Sequence, residues 1–281
     1  MGTLYIVGTP IGNLEDITAR ARRVLGEVDL IAAEDTRRTA RLLQHYSIAT
    51  PTTSLHEHNE HAKAPRLVAR LLAGESIALV SDAGMPLISD PGAALVRLAR
   101  QLGLPVTVVP GPSAVSTALA GAGISGPYAF LGFPPAAGKA RKNWFETLGE
   151  TTERMSVVFF EAPHRLRKTL TQARNILGVQ PIMVARELTK AFEEWVERPI
   201  DEFLRGNAEP RGEFVVVVPP RMRQDSGKDA PTAASLAAEF GELTKNGDWK
   251  PKEAAKAIAA KYGLSASEVY RLAVRDADKQ R

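Results

Sequence analysis

Most residues in this chain that could do chemistry lie in three loops and a few charged clusters. The first loop is Gly8-Thr9-Pro10-Ile11-Gly12-Asn13-Leu14. It is not a G-x-G-x-x-G dinucleotide fingerprint, because Pro10 stands where the second glycine belongs. No Gly-Lys-Ser/Thr follows, so it is not a Walker loop either. The second loop, Ser81-Asp82-Ala83-Gly84-Met85-Pro86-Leu87-Ile88-Ser89-Asp90-Pro91-Gly92, carries two Gly, two Pro and two Asp. Asp82 follows directly on an apolar run, where a carboxylate can accept hydrogen bonds from a ribose or an amino group. Asp90-Pro91 reads as a helix start, with Asp as N-cap and Pro at the first helical position. The third loop is Pro110-Gly111-Pro112-Ser113-Ala114.

The charged clusters also follow apolar runs. Glu34 and Asp35, with Arg37 and Arg38, could orient a hydroxyl nucleophile and a phosphate, or simply favour a helix start. Glu161-Ala162-Pro163-His164-Arg165 and Ala185-Arg186-Glu187-Leu188 offer further groups for acid–base work or phosphate contact. Lys139, Arg141 and Lys142 stand close to Trp144 and Phe145, a combination that suits single-stranded RNA through phosphate contact and base stacking. His56, His58 and His61 make no strong metal motif, and no metal site is expected. There is no G-x-S-x-G, so a hydrolase triad is unsupported.

Short apolar runs alternating with amphipathic stretches must position these groups. Strands are expected at Leu4 to Val7, Leu30 to Ala33, Ile77 to Val80 and Val106 to Val109, with helices between them. That alternation implies βα units and a largely parallel sheet. The pattern restarts after Pro110 to Ser113, with strands at Tyr128 to Phe133, Val157 to Phe160, Ile182 to Ala185 and Phe214 to Val218. The predicted fold class is therefore α/β. Residues 1–111 form one sheet domain, 112–220 a second, 221–231 a linker and 232–281 a small helical unit. Two sheet domains that meet at a short hinge leave a cleft, where small ligands usually sit. In the tail, Ser265-Ala266-Ser267-Glu268 fits a capping box between two short helices, a pattern compatible with a helix-turn-helix.

The 281 residues are 44% hydrophobic and 24% charged, which excludes a disordered chain, a collagen and a coiled-coil rod. With no cysteine, disulfides, iron–sulfur clusters and thiolate zinc sites are excluded. Residues 221–281 hold 12 Lys/Arg against 9 Asp/Glu and residues 1–220 hold 24 against 23, so the basic surplus concentrates in the tail. The N-terminus shows no basic leader with an apolar core, and no apolar run reaches about 18 residues. A soluble, cytoplasmic protein with no membrane contact is expected.

Taken in order, TPIGNL, AEDTR, SDAGMPLISDPG, VPGPSA, EAPHR and AREL resemble the ribosomal RNA small subunit methyltransferase I family of the tetrapyrrole methylase superfamily. The resemblance covers about residues 1–220, and the tail resembles that family's helix-turn-helix extension. It implies S-adenosylmethionine as cofactor, a homodimer, and 2′-O-methylation of a cytidine in the decoding region of 16S rRNA. The RNA would be met free or within the small ribosomal subunit. Carried over by motif, cofactor contacts fall on Pro10, Asp82, Met85, Ile88, Ser113 and Ala114. Phe133, Phe160, Ala185 and Glu213 are the further cleft residues. Glu34, Asp35 and Glu187 are the candidate proton-handling groups. Arg37, Lys139, Arg141, Lys142, His164 and Arg165 are the candidate RNA contacts. A tetrapyrrole methyltransferase and a non-enzymatic RNA-binding dimer stay open as alternatives.

Overall fold

The computed structural model describes residues 1–205, 212–221, 233–245, 249–262 and 264–277. The chain divides into two compact units, Met1–Arg221 and Met222–Arg281.

In the first half of the larger unit, strands and helices alternate. They are β1 (Leu4–Val7), α1 (Ala19–Glu27), β2 (Leu30–Ala33), α2 (Thr36–His45), β3 (Thr52–Ser54), α3 (Glu60–Leu72), β4 (Ile77–Val80), α4 (Ala93–Gln101) and β5 (Val106–Val109). The strands form one sheet in the order β3-β2-β4-β1-β5, and every pairing is parallel. β2 and β4 are buried along their whole length, because helices cover both faces. Leu67 and Leu71 of α3 and Leu95 and Ala99 of α4 pack on one face. Ala21, Val24 and Leu25 of α1 and Leu42 and Leu43 of α2 pack on the other. A parallel sheet of this kind presents its ligand-binding loops at the carboxyl ends of its strands.

The second half comprises α5 (Ala114–Gly121), β6 (Tyr128–Phe130), α6 (Gly138–Thr152), β7 (Ser156–Glu161), α7 (Pro163–Leu177), β8 (Pro181–Arg186), β9 (Glu194–Pro199), α8 (Ile200–Arg205) and β10 (Phe214–Val218). Its sheet order is β6-β7-β10-β8-β9. Here the expected parallel pattern is corrected. Only β6 and β7 pair in parallel, and β10 runs antiparallel to both of its neighbours, as β9 does to β8. β8 and β9 follow one another without a crossover helix, which forces the antiparallel arrangement.

The two halves share a core. Ile11 of the first loop packs with Val115, Ala118, Val158, Leu188 and Val215. No described helix is long and apolar enough to cross a membrane.

The smaller unit holds three described helices, α9 (Ala233–Lys245), α10 (Pro251–Tyr262) and α11 (Ala266–Ala277), one more than the two-helix pattern predicts. Leu236, Ala255, Ile258, Ala259 and Val269 form its core. The capping box closes reciprocally: Glu268 N–H donates to Ser265 Oγ at 3.2 Å, and Ser265 N–H donates to Glu268 Oε2 at 3.2 Å. Apart from Arg221, the expected linker lies outside the described residues, as does Gly263, the expected helix stop.

Candidate active site

The loops after β1, β4 and β5 are bound to one another. Thr9 N–H donates to Gly84 O at 2.9 Å, and Gly84 N–H returns a bond to Thr9 O at 3.1 Å. The buried Thr9 hydroxyl donates to Ser81 O at 3.3 Å. Gly8 and Gly111 touch backbone to backbone: a Cβ on Gly111 would stand 2.9 Å from the Gly8 backbone, so no side chain fits without moving a loop. The second loop holds two non-glycine residues in the left-handed region, Leu87 at φ 75° and Ser89 at φ 68°. Such strain persists only where surrounding contacts impose it, and it concentrates at functional sites.

These loops and the facing edge of the second sheet enclose a cavity of about 440 Å³. One wall is apolar: Met85, Ile88, Phe133, Phe160 and Val215 line it. Phe133 is 50% exposed and meets Phe160 edge-on at 5.4 Å. The lining also carries carboxyl groups, among them Glu34, Asp82 and Asp90, together with Arg38. Asp82 holds the adjoining loop together. Its Oδ1 accepts the Asp35 N–H at 3.0 Å, and Arg38 Nη1 lies 3.4 Å from its Oδ2. The Asp82 N–H donates in turn to Glu34 Oε2 at 3.3 Å. Burial is the main reason the Glu34 carboxyl rises above its ordinary value. The Asp82 N–H opposes that rise, and the Asp82 charge adds to it.

Of the sequence-predicted cofactor residues, Asp82, Met85, Ile88, Ser113, Ala114, Phe133, Phe160 and Glu213 line the cavity. Pro10 and Ala185 do not; Ala185 is wholly buried in β8. Of the proton-handling candidates, Glu34 alone is on the wall. Asp35 instead caps α2. The Arg37 side chain, then the Arg37 N–H, hold its carboxyl well down, at about 2. Burial pushes Glu187 upward, but the Glu213 N–H and the Lys190 ammonium outweigh it and leave the carboxyl below its ordinary value. A carboxylate held so low is a weak base.

Among the RNA candidates, the Arg37 side chain is freely exposed, and Lys139, Lys142 and His164 are also exposed. Arg141 is turned inward. It is 5% exposed and donates to Gln172 Oε1 at 2.7 Å, Pro135 O at 2.8 Å and Thr169 Oγ1 at 2.9 Å. Trp144 and Phe145 pack into the second core and do not form a stacking platform; the Trp144 ring N–H donates to Leu131 O at 2.9 Å. Arg165 lies 3.2 Å from Glu161, which is 1% exposed, and also donates to Pro134 O. The Thr169 hydroxyl donates to the other Glu161 oxygen. This network fixes the Pro134–Pro135 turn beside Phe133.

The helix-start reading of Asp90 is corrected. Helix α4 begins at Ala93, and its N-cap is Gly92 at φ 115°, whose N–H donates to Glu60 Oε2 at 2.7 Å. Asp90 is thereby released from capping and lines the cavity. Burial pushes its carboxyl up to about 6, with the Ser81 hydroxyl opposing and the Glu34 and Asp82 charges adding. The Asp-Pro-Gly string conceals this role, and its one sequence signal is a second acid in a glycine- and proline-rich loop.

Residues 3–204 match the family described as Tetrapyrrole (Corrin/Porphyrin) Methylases. The chain is 45% identical over 271 residues to the ribosomal RNA small subunit methyltransferase I of Vibrio cholerae, covering 88% of this chain and 93% of that one. It is 42% identical over 274 residues to that of Bacillus subtilis, covering 96% and 93%. The chain belongs to the ribosomal RNA small subunit methyltransferase I family. Solved structures share the methylase fold at low identity. Uroporphyrin-III C-methyltransferase from Thermus thermophilus, complexed with S-adenosyl homocysteine, is 18% identical with a TM-score of 0.57, covering 77% of this chain and 96% of that one. Diphthine synthase is 13% identical with a TM-score of 0.62, covering 78% and 90%. In this family member, the loops that carry the resemblance are those that build the cavity.

Proposed function

We propose that the chain transfers the methyl group of S-adenosylmethionine to the 2′-hydroxyl of a cytidine ribose in the decoding region of 16S rRNA. One observation carries this reading: in a member of this family, a single cavity is lined by both apolar, aromatic side chains and carboxyl groups. An adenosyl donor matches that lining, with its base and the carbon chain beside its sulfonium against apolar side chains and its ribose hydroxyls against carboxylate. Asp82, Met85, Ile88, Ser113 and Ala114 would hold it, Phe133, Phe160 and Glu213 would close over it, and Pro10 and Ala185 would back the walls. When bound, the donor supplies a methyl carbon already activated by its sulfonium.

The residues of the chain must then orient the ribose oxygen and exclude water. Holding two reactants in line contributes on the order of 7–11 kcal/mol in favourable cases. Glu34 is proposed to orient the hydroxyl. Asp35 and Glu187, both held ionised, are proposed as positioning groups for Arg37 and Lys190. The exposed Arg37, Lys139, Lys142 and His164, with Arg165, are proposed to meet phosphates. Arg141 supports that surface from below. In the tail, the exposed Lys250, Lys252, Lys256 and Arg271 support recruitment of the small ribosomal subunit. A homodimer is proposed on the groove shared by Ile88 and Tyr128, 44% and 50% exposed. The site of action is proposed to be the cytoplasm.

Mass-spectrometric mapping after reaction with unmodified small subunits tests the reading. One ribose-methylated cytidine is expected. Unmodified RNA together with a methylated precorrin would refute it.

A further inference from the structure

Five carboxyl groups line the cavity: Glu34, Asp82, Asp90, Glu161 and Glu213. Three of them are paired with a cation, and a fourth, Glu34, holds a backbone N–H through one oxygen. Asp82 holds the Asp35 N–H and Arg38. Glu34 holds the Asp82 N–H. Glu161 is tied at both oxygens, by the Ala162 N–H at 2.9 Å and Arg165 on one and by the Thr169 hydroxyl on the other. Glu213 lies 3.1 Å from the Lys190 ammonium. Asp90 lines the cavity near the Ser81 hydroxyl and forms no ion pair among the described residues. Its place on the wall is built. Leu87 and Ser89 turn the preceding backbone through the left-handed region, and Gly92, held by Glu60, takes the capping duty.

We propose that Asp90 is the proton acceptor of the methyl transfer. This rests on the reading of the cavity as a methyl-transfer site. In the step, the proton of the ribose hydroxyl passes to an Asp90 oxygen. The ribose oxygen's electron pair forms the new bond to the methyl carbon, and the carbon–sulfur pair returns to sulfur, leaving a neutral thioether. A carboxylate without a cationic partner suits this role better than one paired with a cation, as Asp82, Glu161 and Glu213 are. The charged groups acting on Asp90 are Glu34 after β2 and Asp82 after β4; Arg38, Glu161 and Glu213 line the same cavity, and Glu60 at the start of α3 holds the Gly92 N–H. Burial and the neighbouring acids bring Asp90 close to the working pH, where a general base is most effective.

The test compares the full-length wild-type protein with Asp90→Asn and Asp90→Glu. Single-turnover rate constants on unmodified small subunits are measured from pH 5 to 9, and donor affinity is measured by calorimetry. The apo protein, labelled with carbon-13 at aspartate carboxyls, is titrated by NMR. Asp90→Asn is expected to slow the step by at least about 100-fold, the lower end for a lost general base, with donor affinity within about threefold. The wild-type rate rises through a midpoint near pH 6 to a plateau; the Asn variant lacks that limb, and Glu restores part of it. The NMR titration shows one carboxyl changing near pH 6 that is missing in Asp90→Asn. A rate for Asp90→Asn within about threefold of wild type would overturn the inference and leave the methyl-transfer reading standing. So would an Asp90 carboxyl that titrates near its ordinary value. A wild-type protein that binds no donor would overturn both.

Discussion

Replacing Asp90 by asparagine keeps the shape of the side chain but removes a carboxyl that the fold holds at a disadvantage. That carboxyl stands at about 6 in the folded protein against an ordinary 3.8. At about 1.36 kcal/mol per pH unit, the difference is worth at most about 3 kcal/mol. The side chain is only half-buried, so solvent screening reduces this to about 1–1.5 kcal/mol. The sign follows from proton linkage. The folded state binds the Asp90 proton more tightly than the unfolded chain does. Wild-type stability relative to the variant therefore falls as pH rises from about 4 to about 6, then stays level. Urea denaturation, followed by Trp144 and Trp195 fluorescence, should give nearly equal stabilities at pH 3.5. At pH 7.5 Asp90→Asn should be the more stable by about 1–1.5 kcal/mol. A variant with no more relative stability at pH 7.5 than at pH 3.5 would refute the reasoning. Greater stability with lower activity is the pattern expected of a group retained for chemistry.

Glu161→Gln leaves Arg165 without its anionic partner inside the second core and should cost about 2 kcal/mol, read from urea midpoints. Gly111→Ala drives a Cβ against the Gly8 backbone; it should cost about 1–3 kcal/mol and weaken donor binding, and an unchanged calorimetric affinity would show that the loops move freely. Phe133→Ala removes a half-exposed ring from the cavity wall; donor affinity should fall about tenfold, or about 1.4 kcal/mol, with little change in stability.

In the first sheet β1, β2, β4 and β5 were legible as short apolar runs, β2 and β4 being buried on both faces, whereas β3, Thr52-Thr53-Ser54, has no apolar residue and was not expected. β9 was not: Glu194-Trp195-Val196-Glu197-Arg198-Pro199 is an edge strand whose charges face outward. The antiparallel insertion of β10 between β7 and β8 depends on long-range pairing that no local pattern encodes. The loops of the cavity were legible because Gly, Pro and Asp cluster after strands. Asp90 was misread because the local capping rule lost to a distant contact, Glu60 on the Gly92 N–H. Arg141 was misread for want of helix phase. With α6 starting at Gly138, Arg141 shares the buried face of Phe145, Leu148 and Thr152, while Lys139 and Lys142 point away.

Everything proposed for this chain requires a methyl donor in the cavity lined by Asp82 and Ser113. A crystal structure of the protein with S-adenosylhomocysteine tests it most directly. Density is expected against Met85, Ile88 and Phe133 with polar contacts at Asp82. Density at any other place on the chain, or none at saturating ligand, would contradict it.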